Sequence, residues 1–228
     1  MTASGKQNPG PLLLLADSQL LLIPERSDAL QCQLRQDVAV GEGFAVYVGA
    51  ANGCEAAFYD MACDAMAMLG ITRTLFLKRD LAELGGCAAQ IPALILLSGG
   101  DPALGWQVLG QNLVRDWLLR CHHAGSVLVG ISAGALHLTS ALTARSGRPA
   151  RVPFLDLYPA VTLVHEEQSG WPGEAAYLGL DQVDHYGCFK IPLGSGVRIA
   201  GGGNEGRQLQ GFGHARPTLL RGREHQVL

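Results

Sequence analysis

The 228 residues are 48% hydrophobic and 16% charged, with a formal net charge of −3, a balance that excludes a disordered chain. It offers no basic stripe for nucleic acid and no cationic block for an anionic membrane. Residues 1–228 suit a single domain with its own core, and no apolar run reaches the roughly 18 residues that span a bilayer.

Near the start, "PLLLLADSQLLLIP" (11–24) reads as two short buried strands, or one strand and a turn. Asp17 interrupts it and no small-residue cleavage site follows, so it is not read as a signal-peptide core. "GFAVYVGAAN" (43–52) is a strand and its loop, and the spacing of Phe58, Met61, Ala62, Ala65 and Leu69 predicts a helix ended by Gly70. "TRTLFL" (72–77) and "ALILLSGGD" (93–101) are further strands, followed by one long helix over 102–125. "SVLVGIS" (126–132) is a fourth strand, with a helix from Ala133 to about 142.

These strands are apolar along their whole length and alternate with helices. That pattern predicts an α/β fold: three layers, doubly wound, with a mainly parallel sheet covered by helices on both faces. Beyond residue 150 short strands at 160–164, 186–191, 196–201 and 219–222 are expected to complete the sheet, with an antiparallel extension.

The six cysteines (Cys32, Cys54, Cys63, Cys87, Cys121, Cys188) form no CxxC pair, which fits reduced thiols in the cytoplasm. His122 and His123 beside Cys121 read as a solvated helix end rather than a zinc site, so neither metal nor cofactor is expected.

The strand-to-helix junction "GISAGA" (130–135) carries the chemistry. Gly130-x-Ser132-x-Gly134 is the pattern of a nucleophile elbow, where a sharp turn pushes the serine hydroxyl into a site beyond the strand ends. Flanking residues must be small because a side chain there would collide with the neighbouring strand or helix. The amide of Ala133, opening the next helix, suits a developing oxyanion. "LLSGGDP" (96–102) ends the preceding strand, and Gly99 or Gly100 could bring a second amide close.

"SGGDP", a helix and then "GISAGA" resemble the peptidase E and cyanophycinase family of serine peptidases, which have a class I glutamine amidotransferase-like, flavodoxin-like fold. "FLDLYPAVTLVH" (154–165) resembles that family's segment ending in the catalytic histidine, and "KIPLGSGVRI" (190–199) its Pro-Glu-Gly turn. The resemblance covers about residues 43–222. It implies Ser132 as nucleophile, His165 as general base, and Gly99, Gly100 and Ala133 around the oxyanion. The implied partner is a small peptide substrate, and a homodimer is compatible with the sequence.

The third triad member has no clear counterpart. "TARSGRPAR" (143–151) holds no acid where the family has an aspartate, leaving Asp156 as candidate, with Glu166 and Glu167 read as solvated charges. Leu193 stands where the Pro-Glu-Gly turn has glutamate, and "EEQSGWPGEAAYLG" (166–179) replaces the segment that recognises an N-terminal aspartate. Slow hydrolysis without strict aspartate selection is therefore expected. Arg145, Arg148, Arg151 and Lys190 are cations that could bind an acidic group, read first as solvated charges. His185 is the second candidate base, although adjacent strand residues such as Asp184 and His185 face opposite ways. Three other readings stay open: a weak or inactive relative binding a small ligand, a cyanophycinase-like hydrolase of isopeptide-linked dipeptides, and an α/β-hydrolase esterase using His214.

Overall fold

Consecutive apolar residues build the centre of the fold. In the computed structural model, which describes residues 8–38, 43–181, 183–201 and 206–228, β1 (Leu12–Leu15), β2 (Ala45–Val48), β3 (Thr74–Leu77), β4 (Leu94–Leu97) and β5 (Val127–Ile131) run parallel. Their order is β1-β5-β4-β2-β3, with β1 and β5 in register at Leu14 and Gly130.

Both faces are covered. Leu12, Leu14, Val46, Val48, Ile95 and Leu97 pack with Trp117, Leu118 and Cys121, while Leu13, Leu15, Tyr47, Leu94 and Leu96 pack with Leu30, Leu34, Ala62, Ala65 and Met66. Each fully buried leucine contributes about 1.5–3 kcal/mol relative to an exposed one. The first face is covered by α5 and the second by α2 and α3, so helices flank the sheet as expected: α1 (Gln19–Leu22), α2 (Pro24–Asp37), α3 (Ala56–Met68), α4 (Pro102–Leu109) and α5 (Asn112–His123). The N-terminal apolar segment is thus one strand, a turn at Asp17 and the short helix α1.

The helix predicted over 102–125 is broken. The Gly110 amide bonds back to the Trp106 carbonyl at 2.8 Å, and Gln111 is extended (φ −63°, ψ 132°), so the chain turns before α5 begins. α6 (Ala133–Leu138) also ends earlier than the predicted 142, because Thr139 leaves helical geometry at φ −125°, ψ −111°.

The larger departure follows α6. β6 (Ser140–Arg145), β7 (Arg148–Pro153), β8 (Ala160–Val164) and β9 (Gly187–Ile191) belong to a second sheet. β10 (Ser195–Ala200) and β11 (Gln208–Gly213) do extend the first sheet, antiparallel, with β10 against β1. β12 (Thr218–Arg221) and β13 (Glu224–Val227) return to the second, whose order is β13-β12-β9-β8-β6-β7.

β8 and β9 are apolar on both sides, so their sheet needs two coverings. Ala160, Val164, Phe189 and Ile191 join the core beneath α5 and α6, while Val161, Leu163 and Cys188 pack on Tyr177 of α7 (Pro172–Leu178). Among the described residues, no helix is long and apolar enough to cross a membrane.

Candidate active site

β5 delivers Ser132 to the carboxyl edge of the parallel strands, where ligands of such sheets bind. The serine sits at φ 48°, ψ −109°, a backbone conformation that side chains other than hydrogen disfavour. Its amide donates to the Leu15 carbonyl at 2.8 Å, so β1 anchors the turn.

Both neighbouring glycines are sterically required. A Cβ on Gly130 would lie 2.3 Å from the Gly134 carbonyl oxygen, and one on Gly134 would lie 2.4 Å from that of Leu97. The first contact is strand against helix and the second helix against β4, as the elbow pattern requires.

The Gly99–Gly100 loop is held by three bonds. Asp101 donates its amide to the Ala51 carbonyl at 2.8 Å and caps α4 by accepting from Ala103 (2.7 Å) and Leu104 (3.1 Å). Gly100, at φ +128°, passes so close to Ala51 that a Cβ would lie 2.1 Å from its carbonyl oxygen. Gly99 packs its backbone against Ser132, where an added Cβ would be 3.4 Å from the serine Cβ. His137 of α6 reaches across to the Pro102 carbonyl at 2.8 Å, tying the helix after the serine to the helix after the glycines. Burial pushes the His137 pKa down, with that hydrogen bond opposing.

His165 follows β8 directly, and its amide donates to the Ile191 carbonyl at 3.0 Å. Its Nε2 lies 3.0 Å from the Ser132 Oγ. With Nε2 accepting, the ring proton belongs on Nδ1. Among the described residues no carboxylate is hydrogen-bonded or ion-paired to this imidazole.

Asp156 is engaged elsewhere. Its carboxylate takes the guanidinium of Arg151, which also donates to the Ser140 Oγ and stacks on the Tyr186 ring. Arg151 is thus a tethered half-buried cation, and Lys190 likewise pairs with Glu174 over the Trp171 ring, where solvated charges were expected. Glu166 and Glu167 depart from expectation in the same way. Glu166 accepts the Gly173 amide at 3.0 Å and Glu167 the Leu193 amide at 3.1 Å, because each caps a chain turn.

Asp184 and His185 lie in a 3₁₀ turn, Val183–His185, rather than a strand. His122 is buried rather than solvated, and burial lowers its pKa to about 4. No cluster of metal-ligating side chains occurs among the described residues.

Ser132, His165, Gly99 and Gly100 line one cavity of about 590 Å³. Ala133 is buried at the start of α6, behind the serine. The rest of the wall is mostly apolar: Leu21 and Leu22 from α1, Phe58, Met61, Ala62 and Ala65 from α3, and Leu96 and Ile131 from the strand ends. Tyr47 and Asn52 add a polar spot, the Asn52 amide donating to the Tyr47 hydroxyl at 2.6 Å. The α1 contribution was not visible in the sequence, since nothing local says that residues 21 and 22 meet residue 132. The periodicity of Phe58, Met61, Ala62 and Ala65 did mark an apolar face, without saying that part of it stays open to a cavity.

Neither a protein-family model nor a curated protein sequence matches the chain. Solved structures do. The chain is similar to a peptidase from an acI-B1 actinobacterium, with TM-score 0.73 and 20% identity over 98% of this chain and 95% of that one. It is also similar to a Listeria monocytogenes EGD-e protein named as a peptidase E, with TM-score 0.60 and 16% identity over 91% of this chain and 100% of the other. The α/β fold is therefore peptidase E-like, in line with the resemblance carried by the SGGDP and GISAGA segments.

Proposed function

We propose that this protein is a serine peptidase that hydrolyses short peptides through an acyl-enzyme. The observation that carries this reading is the 3.0 Å contact between Ser132 Oγ and His165 Nε2, on a strained elbow that opens into a cavity. A nucleophile within hydrogen-bond reach of a base is what acyl transfer requires, and a serine is inert without one. The fold shared with proteins named as peptidases adds support.

In this reading His165 accepts the hydroxyl proton as Ser132 attacks the peptide carbonyl. Gly99, Gly100 and Ala133 supply amides for the oxyanion. His165 then gives the proton to the leaving amine, and water releases the acyl group by the same steps in reverse order. The imidazolium formed on the way has no carboxylate partner among the described residues, and the loss from disabling that partner in a serine-protease triad is about 10⁴-fold in kcat. Turnover is accordingly expected to be slow.

The test pairs a fluorophosphonate probe with a panel of dipeptides and tripeptides, using Ser132→Ala as blank. Covalent labelling and cleavage that both vanish in the variant support the reading. Labelling that persists in Ser132→Ala removes the serine from its role. A wild-type protein that neither labels nor cleaves is a binding protein built on a hydrolase fold.

A further inference from the structure

The cavity beside Ser132 has a composition that selects among peptides. Among the described residues its lining includes two carboxylates, Asp17 and Glu167, and neither a lysine nor an arginine, the imidazole of His165 being the remaining titratable group apart from the Tyr47 phenol. A substrate side chain bearing a carboxylate would enter a space with no cation to pair with and two like charges on the wall, a costly arrangement in a partly desolvated site. An apolar side chain meets Leu21, Leu22, Phe58, Met61, Ala62, Ala65, Leu96 and Ile131 instead. Burying a leucine-sized group there is favourable by the usual area argument.

The two carboxylates differ in what they have left to give. Both Asp17 oxygens are used by the fold, one accepting the Gln19 amide at 2.7 Å and the other the Gly194 amide at 2.5 Å. Glu167 uses one oxygen, for the Leu193 amide, and its Oε2 is buried with no hydrogen-bond partner. A carboxylate oxygen without a donor is costly to bury. The terminal torsion of a glutamate is soft, so a modest rotation can turn that oxygen toward the lumen. Glu167 is also two residues from His165, at most about 7 Å along the backbone.

We propose that the cavity is the acyl-side pocket for a peptide whose first residue is apolar and whose free N-terminal ammonium pairs with Glu167. A primary ammonium brings three donors and no acceptor, which is what an unpaired carboxylate oxygen lacks. The claim rests on the reading of Ser132 and His165 as the hydrolytic pair, and it makes Glu167 a specificity residue for the N-terminus.

The test separates the two claims. Equilibrium binding of Leu-Ala, N-acetyl-Leu-Ala and Asp-Ala to Ser132→Ala needs no turnover. Leu-Ala is expected to bind on the order of ten- to a hundred-fold tighter than the acetylated peptide, the range for one charge-assisted hydrogen bond. It should also bind more tightly than Asp-Ala. Adding Glu167→Gln should remove the preference for the free amine and leave N-acetyl-Leu-Ala unaffected. A purely structural role for Glu167, through Leu193, would weaken both peptides alike and would overturn the assignment. Equal binding of all three peptides, or tighter binding of Asp-Ala, would overturn the pocket claim. If Leu-Ala binds as expected but the wild-type protein never cleaves it, the hydrolytic reading fails and the pocket stands as a binding site for the same ligands.

Discussion

The carboxylate of Asp156 pairs with Arg151 and leaves His165 without an acidic partner among the described residues. Arg151 reaches Asp156 from β7 and is steadied by Ser140 and the Tyr186 ring, so this aspartate closes the β6–β7 hairpin onto the loop before β8. Asp156→Asn should therefore cost stability, on the order of 1–2 kcal/mol, and change the rate of fluorophosphonate labelling less than about threefold. A thermal melt and a labelling time course decide it. A labelling rate reduced by orders of magnitude in a folded variant would return Asp156 to the catalytic apparatus.

The elbow glycines give a second expectation. Gly134→Ala places a methyl group 2.4 Å from the Leu97 carbonyl oxygen, a backbone atom that cannot move without shifting β4. The variant should lose about 2 kcal/mol or more and should fail to label. Gly86→Ala is the control, since an added Cβ there meets nothing within 4 Å, and it should lie within about 0.5 kcal/mol of wild type. Similar melting temperatures for the two variants would reject the close-packing argument.

Ser132 itself is held at φ 48°, where a side chain costs about 1–3 kcal/mol and glycine costs little. Ser132→Ala and Ser132→Gly both remove the hydroxyl, but only the glycine relaxes the backbone. Ser132→Gly should melt above Ser132→Ala by the equivalent of about 1 kcal/mol, part of the relief being offset by the flexibility glycine adds to the unfolded chain. Melting at or below the alanine variant would show that the turn is not strained at this residue.

Acid sensitivity follows from the buried histidines. His122 titrates near 4 in the folded protein against an ordinary 6.5, because burial disfavours the imidazolium. Between those values the unfolded chain binds the extra proton, so stability is complete above about pH 6.5 and falls as pH drops toward 4. The loss from this group reaches about 3 kcal/mol at the lower end. His137 acts in the same direction. Denaturant melts from pH 7 to pH 4 should show the decline, and His122→Gln should flatten it. An unchanged slope in that variant would contradict the assignment.

Legibility varied along the chain for physical reasons. β2, β4, β5 and β8 were readable because strands buried on both faces are continuous apolar runs. β7, β11 and β13 escaped notice because they are edge strands of polar, partly exposed residues, and β7 carries Pro149 and Pro153. The hairpin of β6 and β7 occupies the acid-free stretch 143–151. α2 shows an apolar pair, Leu30 and Leu34, too sparse for a periodicity argument. Ser132 was readable because an elbow needs Gly130 and Gly134 in sequence. His165 needed the order of several segments, since its partner is 33 residues away. Glu167 gave no signal, because its worth depends on a cavity made by α1 and α3.

β1 pairs at Leu12 with Leu128 of β5 and with Ile199 of β10, so the middle of the first sheet is joined by segments far apart in time as well as in sequence. At ribosomal rates of about 5–20 residues per second, Leu12–Leu15 waits on the order of ten seconds or more for its last partner. An apolar strand with an unpaired edge is a site for misassembly during that interval. The turn that presents Ser132 hangs on the Leu15 carbonyl and so forms late, whatever the order in which the peripheral helices condense. Ribosome-held chains that stop before residue 195 should stay protease-sensitive across β1, and early protection there would show that β5 alone suffices to dock it.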